Sequence, residues 1–271
     1  MLRSEADRLT RVIVCSPSKE YFLVKNLKDH NIVEQADAEQ AKKQHDTLKM
    51  TIRGFGAEVI DVGELRSHPN SVFTRDSSIC TPQGYVRLRL GLESRRGEEE
   101  WMSQNLDELG EPFAGAIRPP GTVEGGDIIL AGSVAFIGLS KRTNKEGVKQ
   151  ISAILQRMDY ETRTFPVPLP HFHLGGLMSL IGPQQILCCK NVFPSDFFKG
   201  FERIELECPL SISSNVSCLG NSELIIESSN EAAFKVLMKE GFKIHAINLS
   251  EFVKGEGGPT CLILPVERVA Y

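Results

Sequence analysis

Long apolar runs, dense charge of one sign and the standard motifs of enzyme families are all missing from this 271-residue chain. The longest apolar candidates, Val134-Leu139 and Cys261-Val266, fall far short of the roughly 20 residues needed to cross a bilayer. The only dense positive spots are Lys42-Lys43 and Arg95-Arg96, too short for a phosphate-binding groove. With a net charge of -4 and an isoelectric point near 5.9, nucleic acid is not an expected partner, nor is a membrane. The sequence holds no HExxH, CxxC, P-loop, GxGxxG or GxSxG, which removes dedicated zinc, nucleotide and serine-hydrolase readings. No Pro/Gly/Ser-rich linker divides it, so residues 1-271 are expected to form a single domain. The triplet Asn215-Ser217 matches a glycosylation acceptor, and without a secretory leader we read it as chance.

Seven cysteines are present, an odd number: Cys15, Cys80, Cys188, Cys189, Cys208, Cys218 and Cys261. The start, MLRSEADRLTRVIVC, shows no positive-then-apolar-then-small leader, so the expected setting is reducing and cytoplasmic. Six of the seven are expected to be small buried hydrophobes. A core this large needs no disulfide or metal staple, because a chain of this length buries roughly 75% of its unfolded surface.

What is present is a recurring module. Two short apolar strands joined by a turn are followed, usually, by a helical stretch and then by another strand. The pairs are Ile79-Cys80 with Tyr85-Leu90, Ile128-Ala131 with Val134-Leu139, Leu177-Ile181 with Ile186-Cys189, and Val216-Leu219 with Leu224-Ile226. Helices are expected over Gln35-Phe55, Trp101-Leu109, Lys145-Met158 and Asn230-Glu240, from apolar residues at three- and four-residue steps. In the last of these Asn230 is the expected cap, with Ala233, Phe234 and Leu237 inward. Single strands follow at Glu58-Val62, Thr162-Val167 and Lys243-Leu249. Module origins at Ile79, Ile128, Leu177 and Val216 step by about 49, 49 and 39 residues, the range of repeat architectures. Val12-Cys15 and Cys261-Leu264 supply the ends of a fifth unit. Pattern alone leaves open whether the units close into a ring or form an open α/β sheet.

Four polar knots sit at strand edges. The first, NSVFTRD, runs from Asn70 to Asp76, and its carboxylate could bind a ligand or cap backbone amides. In the second, Gly121 to Asp127, Gly125 and Gly126 allow close backbone approach or left-handed dihedrals between Glu124 and Asp127. The third holds His171 and His173, which an extended backbone would project to one side. A metal would need a further ligand that is absent nearby, whereas one histidine suits acid/base work near neutral pH. The fourth, Gly255 to Cys261, runs into a strand and could expose Cys261 at its tip. A cysteine, a histidine and two carboxylates suit a cationic substrate, because a guanidinium offers planar N-H donors that Glu and Asp accept in pairs.

At these residues the chain resembles the guanidine-modifying superfamily of dimethylargininase, arginine deiminase and the amidinotransferases, and is most similar to dimethylargininase. The resemblance runs from RVIVC at Arg11-Cys15 to CLILP at Cys261-Pro265. It is carried by NSVFTRD, SRRGE at Ser94-Glu98, EGGD at Glu124-Asp127, GLSKRTN at Gly138-Asn144, HL at His173-Leu174 and GGPTC at Gly257-Cys261. It implies a five-bladed α/β propeller of ββαβ modules around a central active site, in a single catalytic domain without cofactor or metal. Cys261 would be the nucleophile and His173 the acid/base. Glu124 and Asp76 would hold the guanidinium, and Arg95 and Arg142 would grip the substrate's α-carboxylate and the surrounding site. Two departures bear on the substrate. Asn70 resembles the arginine deiminase position where dimethylargininase usually has Asp, and Gly175 lacks the carboxylate of the deiminase HLD motif. The implied reaction is hydrolysis of an N-methylated arginine through a covalent thioether, giving citrulline and an alkylamine. Arginine deimination or dihydrolysis, amidino transfer and a silent binding protein are the alternatives. A homodimer is the base-rate expectation.

Overall fold

The computed structural model describes residues 2-270. In chain order it forms β1 (Arg8–Cys15), α1 (Ala38–Phe55), β2 (Glu58–Val62), β3 (Ser78–Thr81), β4 (Gly84–Arg87), α2 (Glu98–Glu108) and β5 (Phe113–Ala116). There follow β6 (Ile128–Ala131), β7 (Val134–Leu139), α3 (Lys145–Gln156), β8 (Glu161–Pro166), β9 (Met178–Gly182), β10 (Gln185–Cys189) and β11 (Glu202–Leu206). The last module is β12 (Ser217–Gly220), β13 (Glu223–Glu227), α4 (Glu231–Lys239) and β14 (Lys243–Ile247), before the short α5 (Ser250–Val253) and β15 (Leu264–Val269).

The helices form where caps and apolar stripes agree. Asp37 accepts from the Gln40 amide at the start of α1, and Gly56, in the left-handed region at φ 98°, ends it. Ala41, His45, Leu48 and Ile52 make the buried stripe between. Asn144 and Asn230 cap α3 and α4 in the same way, accepting from Gly147 and Ala233. Phe234 is not inward as expected but 41% exposed. It follows Ala233 by one residue, about 100° around the helix, while Leu237 falls back beneath Ala233.

Five three-stranded sheets result, with orders β3-β4-β5, β6-β7-β8, β9-β10-β11, β12-β13-β14 and β15-β1-β2. In each the middle strand pairs antiparallel with one neighbour and parallel with the other. The modules thus share one three-stranded, ββα-type plan, the pseudo-fivefold arrangement expected from the resemblance, with turns in place of the helix between β10 and β11. Their first strands pack on one another, β15 on β3, β6 on β9 and β9 on β12. The fifth sheet joins the two ends of the chain through β1 and β15, which decides for ring closure over an open sheet. In the segment that joins β10 to β11, the rings of Phe193, Phe197, Phe198 and Phe201 meet Phe136 and Phe165.

Two expectations need correction. The last strand begins at Leu264, so Cys261 lies in the turn ahead of it, where its amide donates to the Gly258 carbonyl at 3.1 Å. Of the six cysteines expected as buried hydrophobes, Cys189 and Cys208 are joined in a disulfide, with Cα atoms 5.5 Å apart. Cys189 ends β10 and Cys208 follows β11, which pairs alongside it, so the fold brings the two together. The other four, Cys15, Cys80, Cys188 and Cys218, are buried free thiols. Burial pushes the Cys80 thiol up to about 12 and the Cys188 thiol up to about 11, which makes both inert near neutral pH. No helix among the described residues is long and apolar enough to cross a membrane.

Candidate active site

The segment ahead of each module's first strand is a tight turn, and the five turns meet at one place. Thr74–Asp76 precedes β3, Gly125–Asp127 precedes β6 and Leu174–Gly176 precedes β9, each as a single 3-10 turn. The turn holding Asn215 precedes β12, and that holding Cys261 precedes β15. Each module therefore offers one polar side chain to the centre: Asp76, Glu124, His173, Asn215 and Cys261.

The approach is close enough to require the glycines of EGGD. A Cβ on Gly125 would lie 2.0 Å from the Arg75 carbonyl oxygen, and one on Gly126 would lie 2.7 Å from His173 Nδ1. Neither glycine has a positive φ, so crowding, not left-handed backbone, excludes a side chain at both. The Gly126 amide instead donates to Asp76 Oδ1 at 3.0 Å.

His173 Nε2 hydrogen-bonds Glu124 Oε2 at 2.7 Å and lies 4.0 Å from Asp76 Oδ1. The other Glu124 oxygen accepts from the amides of Gly91 at 2.9 Å and Leu92 at 3.1 Å, and from the Arg142 guanidinium at 3.3 Å. Burial alone would raise Glu124, but the His173 bond and the Arg142 charge outweigh it and hold the carboxyl well below its ordinary range. Burial likewise opposes the charge on His173, and Asp76, Glu124 and Asp127 together overcome it and lift the imidazole to about 9. Asp127 accepts from the Leu174 amide at 2.8 Å and the Ser140 hydroxyl at 2.6 Å, which ties the glycine turn to the histidine turn. The Cys261 thiol is raised by burial and then by the Asp76 charge, against hydrogen bonds that include Asn215 Nδ2 at 3.6 Å from the sulfur.

Cys261 and His173 line two adjoining narrow cavities. One, of about 40 Å³, is also walled by Asn70, Asp76, Arg95 and Arg142. The other, of about 30 Å³, adds Gly126, Gly175, Ser211 and Asn215. Glu124 is fully buried behind His173. Asn70 donates its amide to the His30 carbonyl at 2.9 Å, and its own side-chain oxygen is buried with no hydrogen-bond partner.

Of the seven residues singled out from the sequence, six therefore line one cavity and the seventh, Glu124, supports it from behind. Arg95 is tied inward: it donates to Asp76 Oδ2 at 2.6 Å, to Glu98 Oε2 at 2.7 and 3.0 Å, and to the Phe73 carbonyl at 3.1 Å. Arg142 stacks over Phe172 at 5.4 Å. His171 does not join His173 but faces the Ser211 carbonyl at 3.4 Å.

Asn215 and Glu98 escaped the sequence reading. The position of Asn215 just ahead of a module's first strand was the available signal for it. Glu98 stands three residues after Arg95, and burial pushes its carboxyl up to about 7 against the pull of that arginine. Ligand atoms of Asp76, Glu124 and His173 lie within 4.8 Å of one another, a grouping with the donors of a metal site. Their existing partners are cationic, Arg95 on Asp76 and Arg142 on Glu124.

A family model described as N,N dimethylarginine dimethylhydrolase, eukaryotic, matches residues 21-207 of this chain. The chain belongs to the dimethylarginine dimethylhydrolase family. An arginine deiminase model matches residues 208-268. The N(G),N(G)-dimethylarginine dimethylaminohydrolase of Pseudomonas aeruginosa is 27% identical over 228 residues, covering 84% of this chain and 89% of that one. The structure of the dimethylarginine dimethylaminohydrolase of P. aeruginosa with citrulline superposes with a TM-score of 0.84 at 24% identity, over 95% of this chain and 99% of that chain. A product-bound arginine dihydrolase domain from cyanobacteria shares the fold, with a TM-score of 0.83 at 22% identity over 97% and 98% of the two chains. As a member of the dimethylarginine dimethylhydrolase family, the protein is a cysteine-containing hydrolase acting on carbon-nitrogen bonds of a guanidino substrate.

Proposed function

We propose that residues 1-271 act as one catalytic domain that hydrolyses an N-methylated arginine at Cys261, releasing citrulline and an alkylamine. The observation that carries this reading is the cavity that Cys261 and His173 share with Asp76 and Asn70, with buried Glu124 bonded to His173 Nε2. Asp76 and the free oxygen of Asn70 offer acceptors for guanidinium N-H groups. A cationic substrate beside Cys261 also favours its thiolate, offsetting the burial and the Asp76 charge that hold the thiol protonated.

The thiolate attacks the guanidinium carbon, and a carbon-sulfur bond forms. His173, protonated near neutral pH, gives its proton to the departing nitrogen as the carbon-nitrogen bond breaks. The resulting amidino-thioether keeps a positive charge, which Asp76 and Glu124 balance. His173 then takes a proton from water, which attacks the same carbon, and the carbon-sulfur bond breaks to release the ureido product. Arg142, on the cavity wall, takes the α-carboxylate. Arg95 is assigned a different part from the one the resemblance implied. Bound between Asp76 and Glu98, it orients the Asp76 carboxylate and spends its own donors there.

Asn70 favours a second reading, hydrolysis of unsubstituted arginine once or twice, because a neutral acceptor at this position is the deiminase feature of the chain. The deciding experiment supplies dimethylarginine, arginine, agmatine and guanidinoacetate, each with and without an acceptor amine, and follows products by mass spectrometry. Dimethylamine with citrulline supports the leading reading. Ammonia from arginine moves the substrate assignment, and an amidino product on the acceptor moves the reaction class. Cys261→Ser is expected to abolish turnover, and turnover surviving in that variant defeats the mechanism. Activity is expected to survive EDTA; loss restored by added zinc would make Asp76, Glu124 and His173 a metal site. A cytoplasmic setting belongs to this reading only with the Cys189 to Cys208 bond reduced.

A further inference from the structure

A much larger cavity, of about 600 Å³, lies away from Cys261 on the rim of the β3-β4-β5 module. It is bounded by β4 and its extension to Arg89, the outer strand β5, the first turn of α2 and the end of α3. Four guanidinium side chains line it, from Arg87, Arg89, Arg118 and Arg157. Arg87 reaches Glu100 only at 3.8 Å, and Arg89 donates to the Gly121 carbonyl at 3.1 Å. Arg118 and Arg157 have no side-chain hydrogen bond or ion pair among the described residues. Glu99, the other carboxylate on the wall, accepts from the Gly97 amide at 2.9 Å. Cations therefore outnumber carboxylates, and two of them are uncommitted.

The floor differs from the rim. Leu88, Ile117 and Ile154 are buried there, and Phe113 is 57% exposed at the edge. The volume falls within the range of about 300 to 1,000 Å³ typical of small-molecule sites, well beyond what a bare inorganic ion fills. Guanidinium groups suit phosphate oxygens through paired N-H donors, and forks approaching from several sides exceed what one planar carboxylate can accept. We propose that this cavity binds an organic phosphate, with its anionic end on Arg87, Arg118 and Arg157 and its apolar or aromatic body over Ile117 and Phe113.

The test uses the full chain in magnesium-free buffer at fixed ionic strength, with ADP, inorganic pyrophosphate and citrate as probes in calorimetry and thermal shift. ADP is expected to bind saturably, more tightly than pyrophosphate or citrate, and to raise the Tm. Arg118 and Arg157 are exposed, so the double variant Arg118→Ala/Arg157→Ala should keep the ligand-free Tm and the turnover of the guanidino substrate, yet lose at least tenfold in ADP affinity. Phe113→Ser should weaken ADP and leave pyrophosphate unchanged. The proposal is overturned by the absence of saturable ADP binding, by equal affinity in the double variant, by citrate binding as tightly as ADP, or by competition from citrulline, which would put the nucleotide in the other cavity.

Discussion

Asp76→Asn should make Cys261 more reactive and the enzyme less active, a pairing that tests the electrostatics of the site directly. The substitution removes one negative charge and keeps the size of the side chain. Asp76 Oδ1 lies 4.0 Å from His173 Nε2. Unit charges about 4 Å apart interact by ~4 kcal/mol at an effective dielectric of ~20. Arg95, bonded to the other oxygen at 2.6 Å, opposes part of that field. Halving the interaction leaves ~2 kcal/mol, roughly thirty-fold in the protonation equilibrium. The Asp76 charge raises both His173 and Cys261, so its removal lowers both. The pH profile of Cys261 alkylation by iodoacetamide should therefore move to lower pH. Over the same change kcat/KM should fall roughly 10- to 150-fold, from the loss of a charge-assisted hydrogen bond of about 1.5 to 3 kcal/mol to the substrate guanidinium. An alkylation profile that stays in place or moves to higher pH refutes the electrostatic account, and an unchanged kcat/KM refutes the binding role.

Asn215→Ala should move the alkylation profile the opposite way, because the Asn215 hydrogen bond lowers the Cys261 thiol, and should cost roughly tenfold in kcat/KM. A profile coincident with wild type would reduce Asn215 to a loop tether, holding the Thr260 amide at 3.0 Å. For His173 the folded imidazole stands at about 9, above the unfolded value near 6.5, so its contribution to stability is complete below about pH 6.5 and is lost as pH climbs through about 9. The Tm of wild type should accordingly fall more steeply between pH 7 and 10 than that of His173→Gln, and parallel curves would contradict the raised value. Cys208→Ser opens a covalent loop with a sequence separation of 19. It should cost ~3 kcal/mol, or a Tm lower by roughly 6 to 12 °C. A wild-type Tm indifferent to reductant would show that the bond adds nothing.

The architecture was legible where local signals agreed. Asn230 marked one helix by its cap, and apolar residues at three- and four-residue steps marked another over Lys145–Gln156. Phe113–Ala116 and Glu202–Leu206 went unread as strands, since outer strands are short and half-covered and lack a clean alternation. By pattern alone the site was legible as four separate knots, and only the resemblance joined them, because convergence depends on β1 closing the ring against β15, a contact between the two ends of the chain. Arg95 shows the same limit at short range. An arginine in SRRGE reads as a free cation until the turn brings Glu98 beneath it. Asn215 was hidden by its resemblance to a glycosylation triplet, although its place in the module repeat equals that of Asp76, Glu124, His173 and Cys261.

The proposed mechanism asks a thiol to react beside two carboxylates, and the resting contacts of the site suit that task. At rest Asp76 is covered by Arg95, Glu124 is covered by His173 and Arg142, and Cys261 is held protonated by burial and by Asp76. In the proposed mechanism a guanidinium entering beside the sulfur screens Asp76 and supplies the counter-charge for a thiolate in one step, so the nucleophile would form where its substrate is. A ureido product is neutral and does neither. With the cation gone, the thiol regains its proton and Asp76 loses its extra partner, which weakens the hold on the product relative to the substrate by the charge-assisted terms alone, about 1.5 to 3 kcal/mol for each bond lost. Under the proposed mechanism every neutral amide of similar shape lacks those bonds as well, so discrimination at this site would follow the charge of the ligand before its size.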